Sequence, residues 1–245
     1  MRSVLESVEW GKPALSLLSK CKQLNPNLPA VMHIQHTERP KSTQESYDLA
    51  RKTGRSTLLS TEKGKQAAFE FGERLPSDRI YRVYHTPIER TRETAEKIHE
   101  GLLSRGVKSQ LEGIFMRVHH NQARRRDYLQ RDVLDAGEPN ARSHFINHVS
   151  EHFPPWEIEH CSLIAKRHAA IMMGDLKTAT PESFDLYVSH DTICAMFLLY
   201  WFGIMTDERW IEFLDGFIMQ LTEERMHVYT KDGKKEAYYP YWWNF

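Results

Sequence analysis

In Ala30-Val31-Met32-His33-Ile34-Gln35-His36-Thr37-Glu38-Arg39-Pro40, a mostly apolar hexapeptide runs straight into histidine, glutamate and arginine. Residues 30–35 have the composition of a strand buried on both faces inside a parallel sheet. The reactive side chains begin where that strand stops. The same grammar recurs twice. Phe184-Asp185-Leu186-Tyr187-Val188-Ser189 ends on His190-Asp191-Thr192, and Ile80-Tyr81-Arg82-Val83-Tyr84 precedes His85-Thr86-Pro87-Ile88-Glu89-Arg90. Ligands of an open α/β sheet collect outside the carboxyl ends of its strands. His36, His190 and Arg90 are therefore expected to converge on one edge.

Amphipathic segments separate these strands. Thr61 is placed to N-cap a helix over 61–75, with Ala67, Ala68, Phe71 and Leu75 on one face. Pro87 opens a second helix to about 104, and further helices are expected over 157–176 and 192–201. A strand or edge is expected at 111–118, and 41–57 reads as a polar irregular connection. Beyond Phe213 the pattern alternates, with Asp232-Gly233 as a hairpin turn. Strands alternating with helices predict an α/β fold with a mostly parallel central sheet flanked by helices. A helical leader (1–28), with Leu15, Leu17, Leu18, Cys21 and Leu24 on an imperfect apolar face, would precede a domain over 29–245 that ends in a β-rich part.

Composition bounds the function classes. Thirty-three Lys plus Arg balance 33 Asp plus Glu among 245 residues, so no global field favours nucleic acid or a membrane surface. Cys21, Cys161 and Cys194 have neither metal spacing nor the density of a disulfide framework, which fits a reducing, cytoplasmic setting. The longest apolar run, 193–205, is shorter than the ~18 residues a membrane span needs and reads as a buried helix. No signal peptide is expected, because Glu6, Glu9 and Lys12 interrupt any apolar N-terminal core.

Four stretches carry a family resemblance: His33 to Pro40, Ser60-Thr61-Glu62-Lys63-Gly64-Lys65-Gln66-Ala67, His85-Thr86-Pro87-Ile88-Glu89-Arg90-Thr91-Arg92-Glu93-Thr94-Ala95, and Leu186 to Thr192. In this order, over roughly 30–204, the chain resembles the histidine phosphatase (phosphoglycerate mutase-like and histidine acid phosphatase) superfamily. The resemblance implies that His36 attacks phosphorus to form a phosphohistidine, with His190, Arg39 and Arg90 stabilising the phosphoryl oxygens and Asp191 as general acid. Gln35 and Thr37, where the family has Arg and Gly, would line the phosphate site. No cofactor or metal is implied, and the expected partner is a small phosphate ester. His190-Asp191 and Arg39 look like the acid phosphatase branch, whereas 61–64 and 86–95 look like the mutase branch. In the latter the acid is a Glu after the third strand, whose nearest counterpart is Glu112.

Three readings of function stay open: a phosphomonoesterase, a phosphate-binding pseudoenzyme (motivated by Gln35 and Thr37), and a phosphomutase, whose acid motif is poorly matched. His36 taken alone would be an ordinary sheet-edge histidine. Arg92 reads as a surface ion-pair residue and His33 as a sheet-packed histidine. His144, His148 and His152, four apart, read as a solvated helix face in preference to a zinc site. Arg124, Arg125 and Arg126 read either as a solvated helix or as a rim that attracts charged esters. The aromatic cluster at 238–243 reads as core or as an intersubunit contact.

Overall fold

A computed structural model gives the structure of the protein and describes residues 3–41, 43–53, 58–115, 141–153, 159–206, 210–241 and 243. The elements, in chain order, are α1 (Val4–Ser7), α2 (Gly11–Lys20), β1 (Ala30–Gln35), α3 (Gln44–Thr53), α4 (Glu62–Arg74), β2 (Ile80–His85) and α5 (Glu89–Ser104). They continue with β3 (Ser109–Ile114), α6 (Ala141–Val149), α7 (Cys161–Lys177), β4 (Ser183–Ser189), α8 (Asp191–Phe202), β5 (Gly216–Leu221), β6 (Arg225–Thr230) and β7 (Gly233–Tyr238).

The seven strands form one sheet in the order β3-β2-β4-β1-β5-β6-β7. Its first four strands are mutually parallel, and β1 pairs β4 from Ala30↔Phe184 to Gln35↔Ser189. The other three run antiparallel, beginning where β5 pairs β1. The expected mostly parallel sheet is thus parallel only in the half that carries the motifs. The β-rich C-terminal part completes the same sheet by short hairpins, which require antiparallel neighbours.

Alternation along the buried strands divides the core between two faces. Met32, Ile34, Val83, Leu186 and Val188 pack with α4 and α5. Val31, Tyr187, Phe217 and Met219 pack with α7 and α8. Leu5, Ala14 and Leu17 of α1 and α2 are fully buried in the first cluster, each Leu stabilising the fold by roughly 1.5–3 kcal/mol. From Ile193 onward α8 is apolar, with Ile193 to Leu198 all buried, and it stops at Gly203 with φ 60°. That left-handed cap is cheap only for glycine. Among the described residues, no helix is long and apolar enough to cross a membrane.

Several boundaries differ from expectation. The connection at 41–57 contains α3, whose start is fixed by Thr43 and Ser46. The Thr43 amide donates to Ser46 Oγ (2.9 Å) and the Ser46 amide to Thr43 Oγ1 (3.2 Å). This reciprocal cap satisfies two amides that would otherwise lack partners. The helix expected from Pro87 begins at Glu89, and the one expected from 157 begins at Cys161 behind a His160 cap. The third strand is Ser109–Ile114, shifted toward the N-terminus. A β-bulge interrupts its pairing: Val83 faces Leu111 and Tyr84 faces Gly113, leaving Glu112 as the extra residue. Gly113 takes φ 91° there, a conformation that disfavours any side chain.

Candidate active site

The His36 amide donates to Ser189 O (3.0 Å), so the first residue past β1 is still tied to β4. Its imidazole is 3% exposed. Arg90 Nε donates to His36 Nε2 at 2.8 Å. An arginine N–H can only donate, so Nε2 carries the lone pair and Nδ1 the proton, which goes to Thr37 O at 2.7 Å. Burial first, then the charge of Arg90, hold the His36 pKa well below its usual value; the Thr37 carbonyl pulls it upward, and Arg39 adds a lesser push down. The ring is therefore neutral near pH 7, with Nε2 as its reactive nitrogen.

His190 caps α8, and its ring lies edge-on to His36 at 5.5 Å between centroids. Thr86 Oγ1 lies 3.4 Å from His190 Nε2 and 2.8 Å from Thr91 Oγ1. Asp191 follows at the first position of α8. Its Oδ1 accepts from the Thr192 amide (2.8 Å) and its Oδ2 from the indole of Trp210 (2.6 Å). Those two bonds occupy half of the carboxylate's lone-pair sites. Arg39 is half-buried, gives one Nη1 bond to Pro40 O (2.9 Å), and is near enough for its charge to act on His36.

Two expected ligand residues turn inward. Thr37 is fully buried; its Oγ1 donates to Gly64 O (2.8 Å) and its amide to Thr94 Oγ1 (3.1 Å). Gln35 is 8% exposed, and one end of its side-chain amide lies 2.6 Å from Ile211 O and 2.9 Å from Glu212 O; two acceptors require a donor between them, which assigns Nε2 to that end. Both amide hydrogens expected to face phosphate are thus directed at backbone. Glu112 is exposed on the bulge of β3, two places from β4 in the sheet.

The motif at 60–67 buttresses the site from outside. Thr61 caps α4 by accepting from the Gly64 amide at 2.9 Å and gives its hydroxyl to Glu38 Oε2 at 2.7 Å. At Gly64 a Cβ would lie 2.6 Å from Glu38 O, so only glycine lets α4 approach the loop after His36. Trp10 reaches the same loop from the leader, its indole donating to Glu38 Oε1 (3.1 Å) and its ring meeting Phe213 edge-on at 5.6 Å. Phe213 in turn lies 5.9 Å from the His36 ring.

Sequence reasoning missed Thr86, Thr91, Thr94, Trp210 and Phe213. Thr91 and Thr94 could have been found, since their i, i+3 spacing puts two hydroxyls on the inner face of the helix that carries Arg90. Nothing in the sequence marks Trp210 or Phe213. Arg92 forms surface pairs with Glu89 and with Glu96 (3.2 Å). His33 is fully buried against Phe115, Tyr187 and Phe217, and its ring stacks on His168. The expected His144/His148/His152 face does not form: α6 ends at Val149, His148 is buried with Nε2 2.8 Å from Glu159 O, and His152 lies beyond the helix. Among the described residues, no group of three or more His, Cys, Asp or Glu is placed to hold a metal ion. Trp243 packs on Trp201 at 5.1 Å, while Tyr238 and Tyr241 are exposed. Arg124, Arg125 and Arg126 lie outside the described residues.

No curated protein matches the chain. Among solved structures, mycobacterial glucosyl-3-phosphoglycerate phosphatase in a complex with VO3 is similar at 15% identity and TM-score 0.51, covering 86% of this chain and 98% of that one. The phosphoglycerate mutase of Bacillus anthracis str. Sterne is similar at 14% identity and TM-score 0.50, covering 86% and 92%. At these identities the likeness is one of fold. A sequence profile of the histidine phosphatase superfamily (branch 1) matches residues 48–217, a span holding the 60–67, 85–95 and 186–192 motifs and starting just after His36. With that profile, this fold and these motifs at one sheet edge, the chain belongs to the histidine phosphatase superfamily.

Proposed function

We propose that the protein is a phosphomonoesterase that works through a phosphohistidine at His36. The observation that carries this reading is the His36 geometry: Nδ1–H is fixed on Thr37 O, and the Nε2 lone pair faces the cationic Arg90. An incoming phosphate would take over the Arg90 N–H, freeing Nε2 to attack phosphorus as the ester oxygen leaves. The Thr37 carbonyl would then stabilise the positive charge of the phosphorylated ring. Arg39, Arg90 and His190 would neutralise the phosphoryl oxygens, and such positioning with cationic donors is sufficient for phosphoryl transfer. Asp191 would protonate the leaving alkoxide and later accept a proton from the water that hydrolyses the phosphohistidine.

Gln35 favours one specific rival. With its amide hydrogens directed at Ile211 and Glu212, the site lacks a donor at this position, which supports a slow enzyme or a phosphate-binding module. The scarcity and spacing of cysteines support a cytoplasmic, reducing setting.

The test is trapping. Incubation with a labelled aryl phosphate, an alkaline denaturing quench and mass spectrometry should place on His36 a phosphoryl group that survives alkali and is lost in acid. Binding of phosphate or vanadate without label or turnover across a panel of esters would leave only the binding module. Label on another residue would refute the assignment of His36.

A further inference from the structure

Residues 210–215 lie against the site and are held both from it, by Gln35 and Asp191, and from the hairpin that follows the neighbouring strand β6, by Lys231. The Gln35 amide donates to Asp215 O (2.9 Å), while Gln35 Nε2 holds the carbonyls of Ile211 and Glu212. Asp215 is 2% exposed and uses both carboxylate oxygens. Oδ1 takes the Gly216 amide (2.8 Å), and Oδ2 pairs with Lys231 (3.2 Å). Between them Leu214, fully buried, has φ 59°. A bulky side chain holds that left-handed conformation only when its surroundings impose it. The result is that Trp210 reaches Asp191 and Phe213 lies against His36.

We propose that Gln35 is a positioning residue that latches 210–215 over the site, so that Trp210 orients the carboxyl of Asp191 and Phe213 closes the wall beside His36. The inference rests on the phosphatase reading for the role it gives Asp191, but the latch itself has a readout independent of turnover. A glutamine suits it because one amide nitrogen offers two hydrogens to two carbonyls and adds no charge beside the nucleophile. The chemistry is thereby divided: residue 35 holds the wall, and Arg39 and Arg90 are left to meet the phosphate.

The experiment is Gln35→Met, which keeps side-chain length and removes both donors. The reporter is hydrogen exchange of the Asp215 amide, which donates to Glu212 O at 3.1 Å. The latch predicts exchange at least tenfold faster at Asp215, inorganic phosphate affinity within twofold of wild type, and a kcat loss on alkyl phosphates. It also predicts that this loss is non-additive with that of Trp210→Phe. Trp210→Phe alone keeps the Gln35 bonds; it should retain slow Asp215 exchange while losing kcat on alkyl phosphates, which covers the case in which Gln35→Met does not fold. Unchanged Asp215 exchange in Gln35→Met, with phosphate affinity weakened tenfold or more, would overturn the latch and return Gln35 to the phosphate. Full kcat in Trp210→Phe would overturn the positioning of Asp191. A wild-type protein without turnover would refute the phosphatase reading while the exchange result still decided the latch.

Discussion

Arg90 Nε and His36 Nε2 share a hydrogen bond of 2.8 Å, so in the unliganded site the charged group that should receive phosphate occupies the lone pair that should attack it. The first prediction follows from that sharing. Arg90→Gln removes a cationic donor and should lower kcat by on the order of a hundred- to a thousandfold. It also removes a charge that depresses the His36 pKa, leaving burial as the main cause. Protonation of the nucleophile then begins at a higher pH, so the acid limb of kcat/KM should move upward. An acid limb that stays in place would mean that His36 does not set it.

His36→Ala should abolish turnover, by at least about a thousandfold, while leaving the fold intact. The strand is held by backbone bonds from residues 35 and 36 to Asp215 and Ser189, which the substitution leaves in place. Circular dichroism and thermal melting would check the fold. Retention of a tenth of wild-type kcat would remove His36 from its role.

Asp191→Asn should slow alkyl phosphates by about a hundredfold or more and activated aryl phosphates far less, because only the poor leaving group needs a proton in the transition state. Glu112→Gln, exposed on its bulge, should have little effect on either. The reverse ranking, measured as kcat on both ester types, would move the acid to Glu112.

Stability should fall with acidity. His33 is fully buried, and burial pushes its pKa down to about 3 from the ordinary 6.5. Below pH 6.5 the unfolded chain takes up a proton that the folded chain refuses. That proton uptake costs roughly 1.4 kcal/mol of stability per pH unit, or about 2 kcal/mol by pH 5. His36 adds a loss of the same sign. Urea unfolding at pH 7 and pH 5 should show the decline, and His33→Leu should flatten it even though the variant loses packing. Equal slopes in the two proteins would assign the acid sensitivity elsewhere.

Gly64→Ala should destabilise the protein by about 1–3 kcal/mol, since the new methyl would press on Glu38 O and on Thr37 Cγ2. Because Thr37 O holds the proton of His36, kcat should fall as well. A variant as stable and as active as wild type would show that the loop yields freely.

The parallel half of the sheet and the convergence of His36, Arg90 and His190 at its edge were legible because they depend on local pattern: an apolar run, then polar residues, three times over. The antiparallel half was readable as strands but not as neighbours of β1, since nothing within residues 216–238 names their partner. Gln35 and Thr37 were read by position in a motif, and the structure turns both inward because their side chains answer to Ile211, Glu212 and Gly64. Such long-range partners leave no spacing in the sequence. The helix at 44–53 was hidden for a different reason: its cap uses Ser where a Glu or Gln would have announced it.

The placement of β1 between β4 and β5 has a consequence for synthesis. Both partners of the strand that leads into His36 lie C-terminal to residue 182, so β1 leaves the ribosome about 150 residues before it can pair, a delay of roughly 7–30 s at ordinary elongation rates. Its apolar edge must wait unpaired through that interval. His190 can therefore meet His36 only after β4, which lies between β2 and β1 in the sheet, has been made.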